Sequence, residues 1–315
     1  MLQIDAVDYH TAGEPFRIVT GRELRGATIL AKRADAAERF DHLRRLLVNE
    51  PRGHADMYGC FVTEPNDDGA DLGVVFFHNA GYSTACGHGT IALVTWALET
   101  GVLPVTGAET RVVVDVPSGR LEAVALVEGE DVLSVRFRNV PSYVWGTDVL
   151  PGVDVAFGGA FYASAEERVE PSELARLIER GRRLKRELEA DSSFVHPVEP
   201  ELRDIYGVIF WQGEGPNVQR NVTVFADGEV DRSPCGSGTS ARLALLDASG
   251  ELPRGEELRH LSIVGSEFRA RVVDATQVAG HAAVITEVEG TAHRTGEHRF
   301  VLEDSDELGT GFLLR

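Results

Sequence analysis

Cysteine is scarce in this chain. Three occur in 315 residues, at positions 60, 86 and 235. No pair has Cys-x-x-Cys spacing, which argues against a thiolate zinc site. A sparse, odd set also argues against a disulfide framework. Positive charge is short as well: 31 Lys and Arg against 50 Asp and Glu leave a formal net charge of −19. Such a surface repels phosphate backbones and anionic lipid, so neither nucleic acid nor membrane is expected as a partner. A pocket can still be locally positive, so a small-molecule substrate is not excluded. Long apolar runs are missing, and the opening MLQIDAVDYHTAGEP lacks a basic segment followed by an apolar one. No signal peptide or transmembrane helix is expected, and the expected location is the cytoplasm. No Gly-x-Gly-x-x-Gly fingerprint opens a strand–helix unit. His54, Asp56 and His78 lack metal-ligand spacing. The expectation is a protein without cofactor or metal.

What is present is an ordinary globular composition, 43% hydrophobic and 26% charged, in a chain long enough for two cores. The pattern is α+β. The β-branched stretches VVVDV, LEAVALV, LSVRF, IYGVIFW and AVITEV predict strands. Ser172 to Glu189 predicts an amphipathic helix, with Leu174, Leu177, Ile178 and Leu188 on one face. Asp35 to Leu47 predicts a shorter one.

The chain also repeats itself. The first half carries MYGCFV and then ACGHGTIALVTWALETGVLP; the second carries IYGVIF and then PCGSGTSARLALLDASGELP. Tyr58 precedes Cys86 by 28 positions, and Tyr206 precedes Cys235 by 29. Each cysteine is followed 15 positions later by a glycine, Gly101 or Gly250, and then by Leu-Pro. A period of half the chain means a duplicated domain, not a solenoid. The expected domains are 1–140, with 300–315 free to return to it, and 141–299. A pseudo-two-fold molecule with its site between the halves follows.

Each half contains Cys-Gly-x-Gly ahead of an apolar segment that reads as a buried central helix. Glycines let backbone approach a ligand. A helix N-terminus offers unsatisfied N–H groups and partial positive charge, suited to a carboxylate. The same field is expected to lower a thiol pKa. Two-fold symmetry would set Cys86 and Cys235 on opposite faces of one carbon. One thiolate would remove a proton while the opposite thiol delivers one, as inversion of a stereocentre requires. Cys60 has Val208 at its repeat position and reads as a core residue. A Cys–His hydrolase using His88 would leave the second motif idle.

HTAGEPFRIV, ACGHGTIAL, FGGAFYA and DRSPCGSGTSA together resemble the proline racemase family nearly end to end. That resemblance implies two similar domains like those of diaminopimelate epimerase, each a curved, mostly antiparallel sheet around a central helix. It implies Cys86 and Cys235 as catalytic residues. It also implies Gly87, His88, Gly236 and Ser237 as carboxylate-binding backbone, and His88 and Asp231 as side chains contacting the ring nitrogen. His10 matches a family motif and is expected to support the domain interface. Phe161 and Tyr162 read equally well as core or as cleft.

The family divides by its pair: two cysteines in racemases and epimerases, typically threonine at the second position in dehydratases. Cys235 favours epimerisation of a proline-like amino acid, most of all 4-hydroxyproline at C2. HADMYG, ADLGVVFFHNAGYSTACGHG, VFADGEVDRSP and GFLLR instead resemble the trans-3-hydroxy-L-proline dehydratase branch, so dehydration, or both activities, is the alternative. An amino-acid-binding protein on the same fold is the non-enzyme alternative, since it needs the carboxylate cradle but not two thiols. The assembly is left open, with a homodimer compatible with the reading.

Overall fold

The computed structural model describes residues 1–191 and 194–314. The chain forms two compact units, Met1–Val135 joined by the segment from Thr291 onward, and Arg136–Gly290. The first contains β1 (Leu2–Thr11), β2 (Glu14–Val19), α1 (Ile29–Arg39), α2 (Asp41–Val48), β3 (Tyr58–Thr63), β4 (Leu72–His78), β5 (Gly81–Tyr82), α3 (Gly87–Glu99), β6 (Glu109–Val116) and β7 (Gly119–Glu128). Strand β8 (Asp131–Arg138) spans the boundary. The second contains β9 (Ser142–Leu150), β10 (Val153–Phe157), β11 (Phe161–Glu166), α4 (Leu174–Asp191), β12 (Ile205–Gly215), β13 (Val218–Phe225), β14 (Glu229–Asp231), α5 (Gly236–Ser249), β15 (Glu257–Ser262), β16 (Glu267–Val278) and β17 (His281–Gly290). Strand β18 (Ala292–Leu302) belongs to the first unit.

The two units have one strand order. In the first, β18 pairs with β1, β1 with β2, β2 with β3, β3 with β4, β4 with β6 and β6 with β7. In the second, β9 pairs with β10, β10 with β11, β11 with β12, β12 with β13, β13 with β15 and β15 with β16. The parallel steps fall at the same places, β2–β3 and β4–β6 against β11–β12 and β13–β15. The rest are antiparallel. The fold is therefore α+β and internally duplicated. In the second unit, β17 pairs with both β16 and β9, which closes the sheet around α5.

The central helices follow from composition. Every residue of α3 from Gly87 to Leu98 is buried, as is every residue of α5 from Gly236 to Leu246. A helix enclosed on all sides has no face for water, so it is mostly apolar, and the polar side chains it does bury, such as Thr90, Thr95, Thr239 and Ser240, donate to backbone carbonyls. Leu93 and Leu243, each fully buried, contribute about 1.5–3 kcal/mol apiece. Strand β7 shows the complementary rule: Leu121, Ala123, Ala125 and Val127 point inward and their neighbours outward, at the period of two that a half-buried strand requires.

Three expectations change in detail. The helix expected over Asp35–Leu47 is two helices. Phe40 leaves helical geometry at φ −122°, ψ 9°, with its N–H closing α1 on Ala36 and its carbonyl accepting from Leu43 and Arg44 at the start of α2. Residues 171–173 form a 3₁₀ turn before α4 instead of its first turn, with Pro171 at the opening position. The return to the first unit begins at Thr291, ahead of position 300, because β18 pairs along all of β1, from Thr11 opposite Ala292 to Leu2 opposite Leu302.

Candidate active site

Both motif cysteines are N-cap residues of the central helices, Cys86 of α3 and Cys235 of α5. Each is 6% exposed. In the first unit the Gly89 N–H donates to Cys86 Sγ at 3.3 Å, in the manner of an N-cap side chain. His88 lies beside it, with Nε2 3.4 Å from the sulfur. The His88 ring is held edge-on against Phe16 and Tyr58, at 5.7 and 5.0 Å between centroids. The Thr11 hydroxyl donates to the His88 carbonyl at 2.9 Å. Thr11 and Phe16 both come from HTAGEPFRIV, so that motif seats the start of α3. Arg17 of the same stretch is buried, makes a bidentate pair with Asp8 at 2.8 and 2.7 Å, and donates to the Leu47 carbonyl, which ties β2 to β1 and α2.

The second unit places its cysteine at the same point of the central helix with a different backbone turn and different side chains. Gly158 of FGGAFYA passes so close to α5 that a Cβ there would meet the Ser237 carbonyl at 2.3 Å. The Tyr162 hydroxyl is 2.7 Å from Ser237 Oγ and 3.8 Å from Cys235 Sγ. Tyr162 thus touches the candidate site, whereas Phe161 packs among Trp145, Phe157 and Phe194. Asp231, 4% exposed, uses Oδ1 to accept from the N–H and hydroxyl of Ser233, at 2.8 and 2.7 Å. The Ser233 hydroxyl oxygen in turn accepts the Cys235 N–H at 3.1 Å.

The second glycine of each motif has a common reason. An added Cβ would lie 2.7 Å from Cys86 Sγ at Gly89, and 2.9 Å from Cys235 Sγ at Gly238. The spacing Cys-Gly-x-Gly therefore lets each sulfur fold back over its own helix start. Gly87, His88, Gly236 and Ser237 lie at the first two positions of the helices, whose N–H groups have no carbonyl partner within the helix. That arrangement presents donors and partial positive charge beside each thiol.

The two cysteines differ in backbone and electrostatics. Cys86 is extended, at φ −155° and ψ 96°. Cys235 has φ 61° and ψ 97°, a conformation that is costly for a residue with a Cβ. Burial, followed by the Asp231 carboxylate, pushes the Cys235 thiol up from 9.0 to about 12, although the Gly238 N–H and the hydroxyls of Thr223 and Tyr162 oppose the shift. This corrects the expectation from the helix field alone: for Cys235 desolvation outweighs the dipole, and the resting group is a thiol. Cys60 is fully buried on β3, and its thiol is likewise pushed up by burial.

The remaining candidates scatter. His10 lies near the end of β1, accepting from the Gly13 N–H of the following turn at 3.2 Å beside the His293 ring. His54 Nδ1 lies 2.7 Å from the Ala55 carbonyl, and His78 Nδ1 accepts from the Ala80 N–H. Among the described residues, no three His, Cys, Asp or Glu side chains are grouped to hold a metal ion. No helix among them is long and apolar enough to cross a membrane.

Residues 6–313 match the family model described as proline racemase. A trans-3-hydroxy-L-proline dehydratase of Bacillus cereus is 45% identical, over 98% of this chain and 97% of its own length. A 3-hydroxyproline 2-epimerase of Burkholderia multivorans is 46% identical, over 99% and 98%. Among solved structures, a hydroxyproline epimerase from Agrobacterium vitis with bound trans-4-hydroxy-L-proline superposes with a TM-score of 0.92 at 31% identity, covering 99% of this chain and 96% of that one. With a match across nearly its whole length and relatives that are epimerases and dehydratases, the chain is an enzyme of the proline racemase family.

Proposed function

We propose that this enzyme inverts the α-carbon of 3-hydroxyproline by a two-thiol acid–base mechanism, with Cys86 and Cys235 serving opposite faces. The supporting observation is the pair of N-cap cysteines at equivalent points of two units with one strand order, each sulfur seated over its own Cys-Gly-x-Gly glycine. The helix N–H groups of Gly87, His88, Gly236 and Ser237 are the proposed carboxylate cradle. Asp231, and His88 beside Cys86, are the proposed partners of the ring ammonium.

The electrostatics suggest an order of events. Cys235 rests as a thiol and is the first donor. Cys86, which receives the Gly89 N–H and stands beside His88, is the first base. Cys86, as the thiolate, takes the α-proton and becomes a thiol; the electron pair passes into the carboxylate as an enolate; the Cys235 thiol then gives its proton to the other face of the carbon and is left as the thiolate. The second direction exchanges the roles. A ring ammonium near Asp231 would offset the carboxylate field that raises the Cys235 pKa, easing proton release. Support for a hydroxyl at C3, where the sequence favoured C4, comes from relatives at 45–46% identity named for 3-hydroxyproline; the epimerase structure holding trans-4-hydroxy-L-proline, which supports C4, is 31% identical.

Dehydration of trans-3-hydroxy-L-proline is the second reading, favoured by the name of the Bacillus cereus relative. There Cys86 would remove the α-proton and the 3-hydroxyl would leave as water with a proton from the enzyme. The resulting enamine would tautomerise to Δ1-pyrroline-2-carboxylate. Incubation in D2O with trans-3-hydroxy-L-proline, trans-4-hydroxy-L-proline and L-proline separates the readings. Epimerisation yields the 2-epimer carrying deuterium at Cα, read by chiral chromatography with mass detection. Dehydration yields the pyrroline, and its exclusive formation would replace the epimerase reading. Cys86→Ser and Cys235→Ser should each lower inversion by about 10²–10⁴-fold, the usual contribution of a positioned acid–base group.

A further inference from the structure

Beyond the residues proposed to meet substrate, we infer that Thr239 and His260 form a positioning pair that holds Cys235 in its left-handed backbone conformation, and so aims its thiol. The inference rests on the proposed role of Cys235 as the acid–base group of one face.

A backbone conformation is fixed when the peptide planes on both sides of a Cα are fixed. On the N-terminal side of Cys235, its own N–H donates to Ser233 Oγ at 3.1 Å, and the Pro234 carbonyl accepts the Thr239 hydroxyl at 3.1 Å. On the C-terminal side, the Cys235 carbonyl accepts the Thr239 N–H at 2.7 Å. Thr239 therefore binds two successive carbonyls, one on each side of the residue at φ 61°. Its hydroxyl donates to Pro234 and its oxygen can accept; a hydroxyl donating to His260 instead would put the ring hydrogen on the buried Nε2, where no acceptor lies among the described residues. His260 Nδ1 lies 2.7 Å from that oxygen and must carry the hydrogen. This fixes the tautomer and leaves Nε2 bare. Nε2 is buried and finds no hydrogen-bond partner among the described residues. The ring stays neutral because burial, and then the Arg242 guanidinium, push its pKa down to about 3.

The first unit supplies the control. Thr90 stands where Thr239 does, four residues after the cysteine. Its N–H and its hydroxyl both go to the Cys86 carbonyl, at 3.0 and 2.9 Å, and Cys86 is extended. Register gives the counterpart of His260. Phe77 lies opposite Gly59 and Phe225 opposite Gly207; along the same strands Leu72 pairs with Val114 and Arg220 with Leu261. The residue preceding Val114 is Val113, a buried aliphatic in place of His260. The histidine thus accompanies the strained cysteine, and the unit without it has an unstrained one. A strained backbone persists only where its surroundings over-determine it.

The test uses His260→Val, which copies the first unit, and His260→Asn, whose amide can return a donor toward Thr239. Thr239→Val and Thr239→Ser form a second pair should His260→Val fail to fold. Epimerisation is followed in D2O in both directions, with KM and kcat separated, and thiol alkylation at Cys86 and Cys235 is counted by peptide mass. We expect His260→Val and Thr239→Val to lower kcat about tenfold to a hundredfold, as misplacement of a reacting group by roughly 1 Å does. KM should stay within a few-fold. The alkylation rate should change at Cys235 and not at Cys86, and the Asn and Ser variants should recover most of the loss. Folded Val variants with wild-type kcat and unchanged Cys235 alkylation would overturn the pair. So would a loss that Asn and Ser leave unrepaired, or one shared by both thiols. Cys235→Ser is assayed alongside: if it retains wild-type turnover, the role of Cys235 fails, whatever the His260 variants do.

Discussion

Gly89 lies so close to Cys86 that an added Cβ would come within 2.7 Å of its sulfur, and Gly238 stands in the same relation to Cys235 at 2.9 Å. At Gly89 the Cβ would also meet the Phe16 ring at 2.4 Å. Alanine at either position must displace the thiol or the helix start. Gly89→Ala and Gly238→Ala are each expected to cost about 1–3 kcal/mol of stability, the usual penalty of overpacking. Turnover should fall at least tenfold, since the displaced group is the proposed acid or base. Thermal melts and initial rates check this; an Ala variant with wild-type turnover would show that the sulfur need not occupy this seat.

Tyr162 offers a milder change. Its hydroxyl is 2.7 Å from Ser237 Oγ and 3.8 Å from the Cys235 sulfur. Tyr162→Phe removes that group and keeps the ring. The expected loss is about 0.5–1.5 kcal/mol of stability, the net worth of one hydrogen bond. With one stabilising hydroxyl gone from the thiolate, Cys235 alkylation should require higher pH than in the wild type. An unchanged alkylation profile would remove Tyr162 from the site.

The raised Cys235 pKa carries a stability consequence. Above about pH 9 the unfolded thiol ionises while the folded one keeps its proton up to about 12. The stability from this group is therefore complete below pH 9 and is lost as pH rises toward 12. Denaturant midpoints measured across that window should fall less steeply for Cys235→Ser than for wild type. Cys60, also raised by burial, contributes the same slope to both proteins and cancels in the comparison. Equal slopes would place the folded Cys235 pKa near its ordinary value.

Much of this was legible in the sequence, for local reasons. Cys-Gly-x-Gly before an apolar stretch marks the start of a buried helix, and the repeat of landmarks at near-equal spacing appears in the structure as one strand order used twice. What stayed hidden depends on groups distant in the chain. The left-handed Cys235 depends on Thr239 and His260, and no residue type announces a cysteine at φ 61°. The raised thiol pKa depends on how deeply the second unit encloses it, which a helix-field argument omits. The break at Phe40 has no proline or glycine to mark it. Nothing in the sequence separates core from cleft for Tyr162, because the approach of β11 to the start of α5 is set by packing between segments distant in the chain.

The proposed division of one α-carbon's faces between Cys86 and Cys235 is what inversion depends on. Its most direct test is Cys235→Thr, assayed in D2O with trans-3-hydroxy-L-proline, following the 2-epimer, α-deuterium in recovered substrate, and Δ1-pyrroline-2-carboxylate. Threonine's hydroxyl is a poor proton donor to the second face, while Cys86 remains as the proposed base of the first. The expected result is loss of the 2-epimer, with α-proton exchange or pyrroline formation through Cys86 persisting. Full-rate appearance of the deuterated 2-epimer from the threonine variant would contradict it, because inversion would then be proceeding without the second thiol.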